Sequence, residues 1–237
     1  MDKAAILELL RGRLANVERR LAAACARAGR ARSEVTLVAV TKQIAGEVAA
    51  LLPELGLVDL GENRPQELWK KAAALPPSIR WHMLGHLQRN KIERTLPLVA
   101  WIHSVDSMRL LQALEQESAK QQRTVEALLE VNTSGETTKH GFAPRDLPAL
   151  TVTLEGLKHV RVRGLMTMAA LQDPEKCRPS FAKLRQLHEL IHPMLYPTEH
   201  GGGELSMGMS NDFEVAIEEG ATMVRLGSAL FEGLPRD

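Results

Sequence analysis

Apolar residues at the start of the chain recur at three- and four-residue steps. Ile6, Leu7, Leu10, Leu14, Val17, Leu21 and Ala24 form one stripe between Lys3 and Ala28, which predicts a long amphipathic helix with a single buried face. Gly29 stops it. The periodicity then changes. VTLVAV (35–40), LVDLG (57–61), IRWHMLG (79–85), WIHSVD (101–106), VEALLEVN (125–132), VRVRGLMTM (160–168), ELSMG (204–208) and MVRLGSALF (223–231) read as eight strands. Helical spacing lies between them, in AGEVAALLPEL (45–55), PQELWKKAAAL (65–75), SMRLLQALEQESAKQQ (107–122), PSFAKLRQLHELIHPML (179–195) and DFEVAIEEG (212–220). Strands alternating with helices predict an α/β fold, and eight of them predict one (β/α)8 TIM-type barrel spanning 1–237 as a single domain, with an additional N-terminal helix. An open doubly wound sheet is the alternative. LQDPEKCRP (171–179) and YPTEHGGGE (196–204) read as mobile loops.

Composition leaves this picture intact. The chain has 237 residues, 30 Lys plus Arg against 29 Asp plus Glu, and a formal net charge of +1, so nothing in the balance calls for nucleic acid. Arginines do accumulate early, at Arg11, Arg13, Arg19, Arg20, Arg27, Arg30 and Arg32, which reads as a solvated helix face. Cys25 and Cys177 match no metal or disulfide spacing. With no membrane-spanning run and no signal-peptide core in MDKAAILELLRGR, a cytoplasmic location and no membrane partner are expected.

In a parallel barrel, chemistry gathers where strands end. The first strand delivers Lys42, the second GENR with Asn63, and the last two deliver LSMGMSNDF and VRLGS. Ser206 and Ser210 offer hydroxyls, Gly208, Gly227 and Ser228 allow close backbone approach to an oxyanion, and Arg225 adds fixed positive charge. A lysine facing a phosphate cradle suggests a phosphorylated aldehyde, with pyridoxal phosphate (PLP) the obvious candidate. Condensation needs a neutral amine: at a pKa of about 10.4 only about 0.04% of lysine is neutral at pH 7, and a three-unit depression raises that to about 30%. Burial at the barrel mouth is expected to supply the depression. HELIH (188–192) matches a two-histidine zinc motif, but it falls on an outer helix with no convincing third ligand nearby. The strand pair His82 and His86 is not brought together as a helical pair would be.

VAVTK, GENRPQE, WHMLGHLQRNK, VNTSGETTKHGF, VRGLMTM and LSMGMSNDFEVAIEEGATMVRLGSALFEG follow in order along nearly the whole chain. On these motifs it closely resembles the pyridoxal-phosphate homeostasis protein family. The resemblance implies a fold type III, PLP-binding barrel similar to the N-terminal domain of alanine racemase, with PLP carried as a Schiff base on Lys42. It places Ser206 and the Gly227–Ser228 backbone at the phosphate, Asn63 near the ring and Arg225 at either the ring nitrogen or the phosphate, and it assigns Lys139 to secondary cofactor binding or transfer. It implies PLP buffering or delivery in vitamin B6 homeostasis without catalytic turnover, apo PLP-dependent enzymes as partners, no metal and a monomeric state. The alternatives are a PLP-dependent racemase or decarboxylase, and a module that docks on apo-enzymes through surfaces including the basic first helix. One departure stands out: relatives often follow the lysine with a second lysine and a proline, whereas this chain reads TKQIAGE.

Overall fold

The computed structural model describes residues 2–136, 140–170, 172–195 and 203–235. Eight parallel strands close into a barrel in chain order: β1 (Thr36–Val40), β2 (Asp59–Glu62), β3 (Arg80–Met83), β4 (Val99–Val105), β5 (Val125–Glu130), β6 (Val160–Met166), β7 (Glu204–Met209) and β8 (Met223–Leu226). The last returns to the first, with Val38 opposite Arg225. The helices are α1 (Lys3–Arg27), α2 (Gly46–Ala49), α3 (Pro65–Ala74), α4 (Ile92–Thr95), α5 (Met108–Lys120), α6 (Leu147–Glu155), α7 (Pro174–Leu195), α8 (Phe213–Glu218) and α9 (Ser228–Phe231).

Alternation along each strand divides two environments. Leu37 and Ala39 of β1 join the large core between strands and helices, whereas Val38 and Val40 pack with Leu84 in a separate cluster inside the barrel. Leu128, Met166 and Met223 form a second interior cluster. The same parity turns Asp59, His82, His103, Ser206 and Arg225 inward, and all five are buried. This interior therefore carries a polar stripe where barrels of this kind usually stack branched apolar side chains.

Helix α1 starts at an Asp2 cap whose carboxylate accepts from Ala5 N at 2.8 Å, and it buries Ile6, Leu10, Val17 and Leu21. Its arginines are engaged rather than merely solvated. Arg20 pairs with Glu214 at 2.6 Å, Arg27 with Glu218 at 2.7 Å, and Arg13 donates to Leu230 O at 3.2 Å. These contacts fasten α1 across α8 and α9. Arg32 holds Glu18 through two nitrogens at 2.8 Å, and Arg30 donates to Ala221 O at 2.8 Å.

Several boundaries depart from the sequence pattern. The helix expected over 45–55 breaks into α2 and a 3₁₀ turn at Leu52–Leu55, where Pro53 enters. Strand β8 stops at Leu226, and the SALF that follows is helical. Helix α7 begins at Pro174, so part of the loop expected at 171–179 is helix, and Pro179 lies inside it. Helix α6, LPALTVTLE, matches no expected element, because its β-branched residues are poor helix formers and leave Val152 exposed. Tyr196, Lys139, Gly201 and Gly202 fall outside the described residues. No described helix is long and apolar enough to cross a membrane.

The HELIH histidines lie on α7, with His188 and His192 ring centroids 5.2 Å apart. A Cβ at Gly203 (φ +101°) would collide with His188 Nε2, which explains the glycine there. Burial, and secondarily His192, pushes the His188 pKa down to about 4. As pH falls, the unfolded chain protonates this histidine near pH 6.5 while the fold excludes the proton, so stability present above about pH 6.5 is lost toward pH 4. Replacing His188 with Leu is expected to flatten the pH slope of unfolding free energy between about pH 6 and 4.5 by about 1.4 kcal/mol per pH unit, as measured by urea unfolding at stepped pH.

Candidate functional site

A cavity of about 380 Å³ opens at the C-terminal ends of the strands, within the ~300–1,000 Å³ range of small-molecule sites. Lys42 and Asn63 follow β1 and β2, Leu84 and Gly85 follow β3, and Met168 follows β6. Met209 to Asp212 close one side, with Arg225, Gly227 and Ser228 from β8 and the start of α9. Of the strand-end residues singled out from sequence, Lys42, Asn63, Ser210, Arg225, Gly227 and Ser228 thus share one cavity, and Ser206 and Gly208 are not among its lining.

Ser206 does not line it. Its hydroxyl is fully buried, accepting from Arg225 Nη1 at 2.6 Å and meeting His103 Nδ1 at 2.8 Å. Ser210 takes the rim position instead, where the N–H groups of Gly227 and Ala229 both donate to its Oγ at 3.2 Å. Both N–H groups are thus held by that oxygen, and the Ser210 hydroxyl keeps its own proton to donate.

Lys42 corrects a second expectation. Its side chain is exposed at the cavity mouth, so the burial expected to supply a neutral amine is not what the fold provides. What the fold does provide is a fixed backbone. Ile44 N donates to Thr41 O at 3.0 Å, closing a turn whose third residue, Gln43, has φ +63°, the sign that a type II turn requires there. Thr41 O also accepts from Lys71 Nζ at 2.6 Å, and Lys71 is paired with Glu62 at 2.7 Å. Glu62 in turn accepts from Thr41 Oγ1 at 2.6 Å. Lys71 and Glu62 are 2% and 1% exposed, so this is a dry ion pair, and each partner also bonds the residue before Lys42. Across the cavity, a Cβ at Gly85 would strike Asn63 O, so only glycine lets these two loops touch.

Beneath the cavity, hydrogen bonds cross the barrel interior. Asp59 Oδ1 meets His82 Nε2 at 3.0 Å, and His82 Nδ1 meets His103 Nε2 at 2.9 Å. His103 leads to Ser206 and thence to Arg225, whose Nη2 donates to Thr167 O at 2.9 Å. Arg80, at the start of β3, donates to the other Asp59 oxygen at 2.5 Å. Burial lowers the His82 pKa against the opposing pull of Asp59, and burial with His82 and Arg225 takes His103 well below the usual histidine value, so both rings are neutral. Although burial raises the Asp59 carboxyl, hydrogen bonds from His82 and Arg80 outweigh it and hold Asp59 below its usual value. Arg225 can only donate and ionised Asp59 can only accept. One proton assignment satisfies every link: Arg225 to Ser206, Ser206 to His103 Nδ1, His103 Nε2–H to His82 Nδ1, and His82 Nε2–H to Asp59. Burial pushes the Arg225 pKa down to about 10, opposed by Asp212 and Glu130, so it stays cationic at neutral pH. Burial, then Asp106, raises Glu130 at the end of β5.

Residues 13–235 match the family model described as alanine racemase, N-terminal domain. Over 223 residues the chain is 44% identical to the pyridoxal phosphate homeostasis protein of Aquifex aeolicus, covering 92% of this chain and 96% of that one. It belongs to the pyridoxal phosphate homeostasis protein family. The Pseudomonas aeruginosa member is 39% identical, over 92% of this chain and 93% of its own. PipY of Synechococcus elongatus, solved with PLP bound, superposes with a TM-score of 0.79 at 35% identity, covering 94% of this chain and 99% of PipY.

Sequence reasoning did not find Asp59, His82, His103, Glu62 or Lys71 as supports of the site. For Asp59, His82 and His103 the signal present was a polar residue at an inward position of an otherwise apolar strand; Glu62, at the end of β2, and Lys71, on α3, carried no such signal. Lys71→Met alone is expected to cost about 3–5 kcal/mol by stranding Glu62, while Lys71→Met with Glu62→Leu recovers most of that loss, in denaturant unfolding. Ser206→Ala and His103→Leu should each cost about 1–3 kcal/mol because each leaves a buried partner unpaired. Their double variant should cost less than the sum of the two, measured in the same way.

Proposed function

We propose that this protein binds PLP covalently through Lys42 and holds it for release, rather than turning over a substrate. The observation that carries the reading is the meeting of Lys42 with the Ser210, Gly227 and Ser228 corner in one cavity of suitable size. The donor set fits the cofactor: a primary amine at one wall, hydroxyl and backbone donors for a phosphate at another, and a guanidinium on the floor. Bound PLP supplies an aldehyde with which a primary amine condenses.

Each residue has an assigned task. Lys42 presents the amine, and the Thr41–Lys71–Glu62 cluster sets the direction from which it does so. Ser210, Gly227 and Ser228 take the phosphate. Arg225 faces the ring end from below, and Ser206 acts through Arg225 by holding its Nη1. Asn63 braces the wall it shares with Gly85. The carrier reading draws support from the lining itself, whose ionisable members among the described residues are Lys42, Asp212 and Arg225. Asp212 is buried and accepts from Met209 N at 2.6 Å, which occupies it structurally rather than leaving it poised for proton transfer. The relatives' names, homeostasis proteins rather than enzymes, point the same way.

The deciding measurement is borohydride trapping with PLP followed by intact-mass analysis. Wild-type protein is expected to gain one pyridoxyl group, and Lys42→Ala none. Equal labelling of Lys42→Ala would reject Lys42 as the attachment point. Sustained consumption of an amino acid by the loaded protein, lost in Lys42→Ala, would replace the carrier with an enzyme.

A further inference from the structure

At the barrel mouth, three side chains outside the cavity converge from three successive strand ends. His86 follows β3, Asp106 follows β4, and His140 lies in the loop after β5. One nitrogen from each imidazole and one Asp106 oxygen all lie within 4.8 Å of one another. His86 Nδ1 is 2.8 Å and His140 Nδ1 3.9 Å from the same oxygen, Asp106 Oδ2. The two rings stack with centroids 5.1 Å apart at 23°. We propose that His86, Asp106 and His140 form a binding site for a divalent first-row transition-metal ion of the zinc class.

The geometry is close to what such an ion needs. Ligands about 2.0–2.1 Å from a tetrahedral zinc ion lie about 3.3 Å from one another. The observed separations bracket that value, and both imidazoles are exposed enough to turn. Two imidazoles with one carboxylate is a donor set for zinc, iron or copper chemistry; magnesium and calcium take oxygen ligands. Three protein ligands would leave a position open to water or to a small ligand.

The supporting groups are already in place. Asp106 Oδ1 accepts from Ser107 Oγ at 3.0 Å, which leaves Oδ2 facing the imidazoles. Ser107 also caps α5, accepting from Leu110 N at 3.3 Å, so its hydroxyl is held from both sides. Ser104 Oγ donates to Gly85 O at 2.6 Å and pins the peptide that precedes His86. Outer contacts of this kind orient metal ligands and raise affinity. By contrast, His188 and His192 on α7 belong to no such trio among the described residues. The site needs no PLP, so it stands apart from the carrier reading. It nevertheless adjoins it, because Gly85 is a wall of the cavity.

The experiment titrates chelator-stripped full-length protein, without PLP, with Co(II) followed by visible absorption and with Zn(II) followed by calorimetry. One equivalent is expected to bind, with the cobalt band absent in His86→Ala and in His140→Ala. Ser107→Ala, which leaves all three ligands present, should weaken binding about tenfold or more. Both histidines are exposed, so these variants are expected to keep the wild-type far-UV spectrum. No cobalt band in wild-type protein, an undiminished band in the double variant of His86 and His140, or a band that disappears only in His188→Ala would overturn the assignment.

Discussion

A guanidinium buried inside a barrel must find compensation, and the way Arg225 finds it organises everything around the cavity. Its nearest partners are neutral: a serine hydroxyl and a peptide carbonyl. The carboxylate at the end of its hydrogen-bond chain, Asp59, is reached only through Ser206 and two imidazoles. A direct carboxylate beside Arg225 would spend the cation locally and leave little field at the cavity floor. A relay of dipoles instead aligns every hydrogen bond in one direction while leaving the positive charge facing the site. The cost is that the residues must be right together, since any missing member leaves a buried polar group without a partner.

The second support is electrostatic as well, but compact. Glu62 and Lys71 spend their charges on one another and on the two oxygens of Thr41. A buried pair of this kind contributes little net stability compared with apolar residues of similar size. What it gains here is direction: the turn that carries Lys42 leaves β1 at a fixed angle while the lysine itself stays free to reach a ligand.

How much of this could be read beforehand depended on whether the signal was local. Strand runs such as VTLVAV and helices such as PQELWKKAAAL carry their own period, and both appear nearly as expected. The strand-end residues Lys42, Asn63, Arg225, Gly227 and Ser228 were legible because a parallel barrel assigns chemistry to that edge. The interior relay was not, because Ser206 and His103 are 103 positions apart and nothing in either neighbourhood names the other. Ser206 and Ser210 looked alike in LSMGMS and share one parity, but Ser206 lies within β7, under the floor, whereas Ser210 follows the end of the strand at Met209 and reaches the rim. Lys71 looked like a solvated helix residue in WKKAAA, whereas it lies one turn beyond Leu68 on the buried face of α3. Helix α6 escaped notice for the opposite reason: its local preferences contradict the structure that packing imposes.

Helix α1 gives the chain an order of assembly. Its bonds to Glu214, Glu218 and Leu230 span 194, 191 and 217 positions, and β1 beside it closes on β8. During synthesis α1 is made well before the helices that seat it, and its apolar stripe stays uncovered while the intervening strands are made. Contacts this distant in sequence slow folding and lengthen exposure to aggregation. The arginines that later clamp α8 serve meanwhile as a soluble coat, keeping an unseated helix apart from its own kind by repulsion.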